Sequence, residues 1–591
     1  MYKKSFNAFA ALAIGCMTAS PSFAQSDIIK VNQVGFAPNA EKTATIEWPI
    51  PNGNKATLKQ HAVSVVIKND RGKQVWKGKV YEMRSSKVSD KKRMLVDFST
   101  LTEEGKYTIT TSDGVNKGKA TFVISSRPYK ELAAAAIKGF YFQRASMPIE
   151  EQYVGKWARP AGHLDTQVMI HPSAATAERP AGMIINSPWG WYDAGDYNKY
   201  IVNSSFAVGV MMGAYEQRKE YYRTQEVDIP EKNNGVPNIL DEIYYNLKWM
   251  QTMQDTDGGL YHKLTTPSFE GFVAPSECKQ QRYVVKKTTA ATLDFAASMA
   301  MASRVYREFG NYFPGFSSIA IGQAEKAYAW AKKNPNVEYD QNKMNAAYDP
   351  DVSTGAYDDK YFGDEFFWAA TELYLVTGKQ EYREDAMRYI PKESFPTASW
   401  GNVTELAVLE WARLKDAKPE DAKVAADMKK LFFAHIAKYS DIAGTPFNSP
   451  YGNDASDFFW GCNSEGCTWR GAELMYAYDF TGDASYKENA RRCMNYVLGQ
   501  NATGYCYVTG FGTKPPIHPH QRLASTPNGA YPGFLVGGPN PGQQDKGENL
   551  KYTSNVPDES YMDDMNSYAS NEIAINWNAT LVALAGWLDA E

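Results

Sequence analysis

The sequence predicts a mostly α-helical protein, a ring of paired helices preceded by a small β-sandwich, on three observations. Short β-branched runs alternate with turn residues up to Arg127-Pro128, and beyond that point apolar residues recur at helical spacing almost to the C-terminus. Ala369-Ala370-Thr371-Glu372-Leu373-Tyr374-Leu375-Val376-Thr377-Gly378 resembles Gly471-Ala472-Glu473-Leu474-Met475-Tyr476-Ala477-Tyr478-Asp479-Phe480-Thr481-Gly482. Each stretch ends on a glycine suited to a left-handed cap, and each is followed by a second, charged helix. Two long stretches, 155–196 and 502–570, are rich in Gly, Pro and aromatics and have no sustained helical period. Loops of that length in a compact domain are usually functional, and their aromatic and His content argues against disorder.

At 591 residues the chain exceeds one ordinary core. Lys+Arg 63 against Asp+Glu 67 gives a net charge of -4 with no long basic block, so neither nucleic acid nor an anionic membrane is an expected partner. The 38 Tyr and 14 Trp exceed what a helical core needs and suit the lining of a cleft. Lys3 and Lys4, an apolar run over 6–17 and Ser22-Phe23-Ala24 before Gln25 read as an export signal over 1–24. No other stretch approaches the roughly 18 apolar residues of a membrane span. A secreted or periplasmic location follows; lipid attachment at Cys16 is the less favoured alternative, because Ala13 stands where Leu is preferred. Removal of the signal leaves an odd number of cysteines. Cys462 and Cys467 are the candidates for a short disulfide loop, and the absence of CxxC or paired-His spacing argues against a cysteine metal site.

The first domain, 25–126, carries strand-like runs at 28–31, 63–67, 94–98, 107–110 and 120–124. Pro51-Asn52-Gly53, Asn69-Asp70-Arg71-Gly72 and Ser112-Asp113-Gly114 mark turns between them, which predicts an immunoglobulin-like sandwich. Arg127-Pro128 is too short for a flexible tether, so the sandwich is expected to pack on the helical domain; an independent adhesion or sugar-binding module is the alternative. The second domain, 127–591, reads as helices over 129–144, 204–219, 239–253, 288–309, 322–333, 364–377, 404–415, 422–438, 469–481, 485–498 and 571–588. In a ring of such hairpins the long loops gather distant segments into a cleft.

The chemistry is concentrated in Trp189-Gly190-Trp191-Tyr192-Asp193-Ala194-Gly195-Asp196-Tyr197-Asn198-Lys199-Tyr200. Only Ala194 and Gly195 separate the two acids, so the backbone can come close to a ligand. Aromatic faces suit the apolar faces of sugar rings, and carboxyl groups suit proton transfer; together they point to a carbohydrate-cleaving site. A structural loop, with Asp193 capping a helix or binding calcium, is the alternative reading. Hydrolysis with inversion needs two carboxyl groups about 6.5–9.5 Å apart on opposite sides of the scissile bond. Two aspartates on one turn approach from the same side, so a distant acid is required. Glu572 is the candidate: Ile575, Ala579, Val582 and Ala585 form a helical stripe, which predicts Glu572 in the first turn with Ser570 or Asn571 as cap. There the helix dipole would lower its pKa, and desolvation together with the aspartate charges must outweigh that.

These segments resemble glycoside hydrolase family 9, inverting cellulases built on an (α/α)6 barrel. Asp193-Ala194-Gly195-Asp196 is similar to the family's aspartate motif. Tyr561, Asp563, Tyr568, Glu572, Ala574, Asn578 and Ala579 match its C-terminal signature, with Trp577 where many members have Tyr. The run Val508-Thr509-Gly510-Phe511 through His518-Pro519-His520-Gln521-Arg522 resembles a third signature, departing from it at Cys506. Val31-Asn32-Gln33-Val34-Gly35-Phe36 resembles the start of the immunoglobulin-like module many members carry. The resemblance implies that Asp196 is the base, Asp193 its helper and Glu572 the acid, and that His520, Arg522, Asp563 and Trp577 hold the sugar chain. It implies no cofactor for the chemistry. Tyr361-Phe362-Gly363-Asp364-Glu365 resembles the junction where members bind a structural calcium through Asp364 and Glu365, with ordinary capping as the alternative. The Cys and His zinc ligands of some members are not recognisable, since His163 and His171 lack cysteines nearby in sequence. The expected protein is a monomeric, secreted, inverting endo-β-1,4-glucanase acting on cellulose-type or mixed-linkage glucan or on xyloglucan. The alternatives are an exo-β-glucosaminidase on chitosan oligomers and a non-catalytic glycan-binding protein.

Overall fold

The computed structural model describes residues 28–48, 63–80, 83–112, 117–415, 418–439, 442 and 444–591. The expected export signal, Cys16 and the turns at Pro51-Asn52-Gly53 and Asp113-Gly114 lie outside the described residues.

Among the described residues eight strands form the N-terminal sandwich: β1 Ile29–Val31, β2 Thr43–Trp48, β3 Val63–Asn69, β4 Gln74–Val80, β5 Met83–Ser85, β6 Lys92–Asp97, β7 Gly105–Ser112 and β8 Lys117–Ile124. They pair antiparallel in two sheets, β1-β2-β6-β5 and β4-β3-β7-β8. The period of two puts Val63, Val65 and Ile67 of β3 and Tyr107 and Ile109 of β7 on the inner face. Phe98 joins Phe36 at 5.7 Å and Phe122 at 4.9 Å in the middle of that core. The strand-like runs predicted from sequence all fall on or beside observed strands, whereas β2, β4 and β5 are additional to them. β4 is a polar edge strand, Gln-Val-Trp-Lys-Gly-Lys-Val, whose lysines suit an exposed edge and hide its β character.

Beyond Pro128 the described helices form six pairs, each an inner helix with an outer partner; five are hairpins, and the sixth joins the two ends of the domain. The inner ring is Ile201–Gln217, Thr289–Val305, Gly363–Thr377, Thr404–Ala412, Trp469–Thr481 and Ile575–Ala590. The partners are, in the same order, Asn238–Thr252, Phe316–Lys333, Gln380–Tyr389, Pro419–Ile436, Ala484–Val497 and Lys130–Gln143. This is an (α/α)6 barrel. Inner helices are buried nearly all round, Ile201 to Tyr215 being buried throughout, and small residues let them approach. A Cβ on Gly209 would stand 2.8 Å from the Trp368 ring, and one on Gly471 would stand 2.6 Å from Leu584. The two helices with similar sequence end as expected, on Gly378 and Gly482 with φ of 67° and 72°.

The stretch 155–196 is not wholly irregular. Val168–Ile170 and Ile184–Ile185 join Lys199–Tyr200, Lys263–Thr265 and Tyr283–Val284 in a five-stranded sheet. Strands of two or three residues fall below the window in which alternation can be recognised. Pairing of Lys199 with Leu264 seats the sheet directly after Asp196.

The sandwich docks on the barrel through polar contacts from β1, β2 and β6. Asn32 Nδ2 donates to Asn495 Oδ1 at 2.8 Å, Gln33 N to Leu498 O at 2.9 Å and Thr45 Oγ1 to Pro446 O at 2.9 Å. Arg93, fully buried, pairs with the equally buried Asp558 at 3.1 Å and lies 4.6 Å over Phe447. Removing one member of a buried ion pair strands the other charge. Arg93→Ala is therefore expected to cost about 3–5 kcal/mol of stability. A thermal melt should show it, and Arg93→Met/Asp558→Leu should recover most of the loss.

Candidate active site

Residues just ahead of five inner helices line one cavity of about 680 Å³: Asp193 and Asp196 before Ile201, Tyr357 before Gly363, Trp400 before Thr404, Trp460 and Glu465 before Trp469, and Glu572 before Ile575. His520, Arg522, Tyr568, Trp577, Tyr200 and Phe269 complete the wall. The N-terminal aspartates and the C-terminal glutamate therefore face one another across one space.

Gly195 is where they meet. Its N–H donates to Glu572 Oε1 at 3.3 Å, and its carbonyl accepts from Arg522 N and Arg522 Nη1, both at 2.9 Å. A Cβ there would stand 2.3 Å from His520 O and 3.0 Å from Glu572 Oε1, so glycine is required by contact. Asp193 O accepts from Ile575 N at 2.9 Å, capping the helix that follows the glutamate.

The two aspartates are held differently. Asp193 is bound on both oxygens, by Asn203 Nδ2 at 2.8 Å and Tyr357 OH at 2.6 Å. Asp196 takes its donors on one oxygen: Oδ2 accepts from Asn198 Nδ2 at 2.6 Å, Tyr200 OH at 3.1 Å and Asn198 N at 3.3 Å. Oδ1 receives no donor among the described residues. Burial, and then the charge of Asp196, push Asp193 up to about 8, against the pull of its two bonds. Glu572 is raised well above the usual carboxyl range by burial first, then by the charge of Asp196.

Glu572 is not in a helical first turn as the apolar stripe predicts. It follows the short helix Tyr568–Asn571 in extended backbone, φ -72° and ψ 155°, and the long helix begins only at Ile575. Its neighbours explain this: Gly537 N donates to Glu572 O, His520 N donates to Asn571 O, both at 2.9 Å, and Ile573 bridges to Val536. Pairing with distant strand-like segments takes the residue out of the helix and away from the dipole that would have kept it ionised.

His520 donates from Nδ1 to Met565 O at 2.7 Å, and burial lowers it to about 4, so it is a neutral imidazole. Arg522 lines the cavity, but Nε and Nη1 donate to the carbonyls of Glu270 at 2.7 Å and Gly195 at 2.9 Å. Trp577 lies against Gly461 and Gly537, where a Cβ would meet its indole at 2.6 Å and 3.2 Å. Asp563 does not line the cavity; it accepts from Ile517 N at 3.0 Å and His518 N at 2.8 Å, holding the loop that carries His520. Sequence reasoning missed Asn203, Tyr357, Trp400, Trp460 and Glu465. Tyr357 has a left-handed backbone, φ 50°, a conformation found disproportionately at functional sites.

Asp364 and Glu365 are buried, and with Asp359 they offer oxygens within 4.8 Å of one another. Asp364 Oδ1, Glu365 Oε2, Asp359 Oδ2 and both oxygens of nearby Asp294 are buried without donors, and burial raises all four groups, Asp364 to about 6. Ordinary capping leaves carboxylates solvated. This all-oxygen set of desolvated acids fits a hard cation such as calcium. The candidate disulfide is not formed: Cys462 and Cys467 are free, their thiols turned to Pro539 O at 3.2 Å and Cys493 O at 3.4 Å. His163 does meet a cysteine in space, since Cys278 and Glu270 arrive beside it from the 266–282 loop.

An (α/α)6 barrel with opposed carboxyl groups in an aromatic cleft defines a glycoside hydrolase. The chain belongs to glycosyl hydrolase family 9, whose pattern matches residues 129–585, and the cellulase N-terminal ig-like domain matches 24–116. A xyloglucan-specific endo-β-1,4-glucanase of Bacteroides ovatus is 50% identical over 598 residues, covering 100% of this chain and 98% of that protein. Endoglucanase D of Acetivibrio thermocellus is 32% identical, covering 95% of this chain and 83% of that one. A solved Bacteroides ovatus family 9 structure superposes with a TM-score of 0.88 at 49% identity, covering 95% of this chain and 99% of that one.

Gly195→Ala is expected to push His520 and Glu572 apart and reduce kcat/KM by about a hundredfold, the scale of a misplacement near 1 Å. Kinetics alongside an unchanged circular dichroism spectrum would check it.

Proposed function

We propose that the protein is a secreted, inverting endo-β-1,4-glucanase whose substrate is a β-1,4-glucan of the xyloglucan type. The observation that carries the assignment is the contrast between the acids. Glu572 is half-buried and raised, with a single backbone donor, the environment of a proton donor; Asp196 keeps one oxygen free of donors, the requirement of a base. Asp196 removes a proton from water as it attacks the anomeric carbon, and Glu572 gives its proton to the departing glycosidic oxygen, so one proton leaves each new bond and enters each broken one. Asp193, tied to Tyr357 and Asn203, helps to hold the water. His520, Arg522 and Trp577 shape the sugar-binding wall, with Asp563 acting through the His520 loop. The xyloglucan preference rests on the half-identical relative of Bacteroides ovatus. Residues 1–24 direct export, in keeping with a polymeric substrate, and no helix among the described residues is long and apolar enough to cross a membrane.

Glu572→Gln is expected to lower kcat by about 10²–10⁴ while oligosaccharide binding persists; near wild-type turnover would remove Glu572 from the role of acid. Burial and the charge of Asp196 raise the Glu572 carboxyl well above its ordinary range, so the alkaline fall of kcat/KM should lie at a higher pH than a solvated glutamate would give. With a dinitrophenyl cellobioside, whose leaving group needs no proton, the alkaline fall should disappear. Anomeric NMR should show α-configured product first.

The acids Asp359, Asp364 and Glu365, with Asp294 beside them, would hold a structural calcium and so fix the loop bearing Tyr357. Chelation should lower the melting temperature and calcium should restore it. At a free concentration of about a hundred times Kd the gain is about 2.7 kcal/mol. Asp364→Asn should abolish the response, and a calcium-free protein indifferent to chelator would refute the site.

A further inference from the structure

Two carboxyl groups line the cleft besides Asp193, Asp196 and Glu572. Asp358 is half exposed and has Lys360 at 3.7 Å. Glu465 is different. It sits on a π-helical turn, Asn463–Thr468, which takes one residue more per turn than an α-helix, directly ahead of the inner helix Trp469–Thr481. The other five residues of the turn are buried. Asn463 Nδ2 donates to Val536 O at 3.0 Å, and the hydroxyls of Ser464 and Thr468 meet that of Thr580 at 2.9 and 2.7 Å. The turn thus spends its other side chains on packing and leaves Glu465 on the cavity wall.

Its carboxyl group has no hydrogen bond and no ion pair among the described residues, and burial alone pushes it up to about 8. A desolvated polar group without a partner is costly, and a protein that keeps one in a binding cleft can recover the cost when a ligand supplies the missing bonds. The neighbours on that wall are aromatic. Trp460, 43% exposed, stands 5.3 Å from Tyr568, and the Trp577 indole packs against Gly461, next in sequence to Trp460. Aromatic faces receive the apolar face of a pyranose ring, whose hydroxyls then project from its edge. A carboxyl group has two oxygens set to engage an adjacent pair of hydroxyls.

We propose that Glu465 is a substrate-binding, specificity-determining residue that hydrogen-bonds vicinal hydroxyls of a pyranosyl unit resting on Trp460 and Trp577. The inference rests on the β-glucanase reading above. The unit is either a backbone glucosyl residue or a pendant xylosyl residue; both offer the same diol.

The test is calorimetric titration of the full chain carrying Glu572→Gln, so that binding is read without turnover, with a linear cello-oligosaccharide and a xylogluco-oligosaccharide of equal backbone length. Adding Glu465→Ala should weaken binding about tenfold or more, the scale of one lost hydrogen bond to an acid. Glu465→Gln, which keeps an acceptor and a donor, should stay within about threefold. Loss on both ligands identifies the glucosyl unit, and loss on the branched ligand alone identifies the xylosyl unit. In the protein with Glu572 intact, the same substitutions should raise KM, and Gln should rescue. Glu465→Leu, which fills the space without bonding, separates a binding loss from a packing loss, with the melting temperature as control. The proposal is overturned if Ala and Leu both bind the two ligands within twofold of Glu465, or if the wall prefers a glucosamine oligomer to its uncharged counterpart. If Glu465 has no effect while the wild-type protein cleaves β-glucan, this inference alone fails. If the wild type cleaves none, the reading beneath it fails.

Discussion

The backbone of Gly195 ties the aspartate pair to Glu572. Its N–H reaches Glu572 and its carbonyl holds Arg522, while Asp193 O caps the helix that begins three residues after the glutamate. Asp193, Asp196 and Glu572 are thus joined through a few hydrogen bonds that each involve the main chain, although they lie far apart in sequence. Links of this kind leave few soft torsions between the aspartate turn and Glu572. The missing side chain is as important as the bonds, because His520 O occupies the place a Cβ would take.

Keeping three acids in one buried pocket would be prohibitive if all were charged. The pocket resolves this by giving each a different surrounding. Asp193 receives donors on both oxygens and Asp196 receives three on one, whereas Glu572 receives a single backbone N–H. The framework behind the aspartates is itself polar and buried. Asn198 Oδ1 accepts from Thr266 N at 3.0 Å, and Lys263 Nζ donates to Gly355 O at 2.6 Å, fixing the loop that leads to Tyr357. The groups that tune the reaction therefore reach back to residues that never touch substrate.

How much of this is legible in the sequence depends on how local each signal is. The aspartate pair, the helix hairpins and most of the sandwich strands are patterns within a dozen residues, and they can be read directly. Glu572 is recognisable as an acid but not in its conformation, because the pairing that extends it comes from residues near 520 and 536. Tyr357, Trp400 and Glu465 carry no local mark; each precedes a different inner helix, and only ring closure brings them to one wall. Cys462 and Cys467 look suited to a bridge by spacing, but the turn between them is helical and its radial geometry points the thiols at different neighbours. Cys278 meets His163 only through the folding of a loop more than a hundred residues later in the chain.

The ring also explains why so many acids collect at one end. Asp364, Glu365 and Glu405 lie in first turns of inner helices, where the positive end of the dipole favours negative charge. That help is about 0.3–1 kcal/mol in exposed cases and about 2 kcal/mol at most. The effective penalty for burying an ion is several kcal/mol. The dipole cannot close that difference, so each buried acid at this rim needs a further source of stability. Glu572 lies outside any helical first turn, and burial shifts its carboxyl toward the protonated form. Glu405 Oε2 takes donors from Trp469 and Ala398, both at 2.8 Å. Asp364, Glu365, Asp359 and Asp294 keep oxygens that no donor reaches, and protonation or a bound cation would each offset their burial. The same rim thus gathers the cleft acids on one side and the Asp359-Asp364-Glu365 cluster on the other, with Tyr357 in the loop between them.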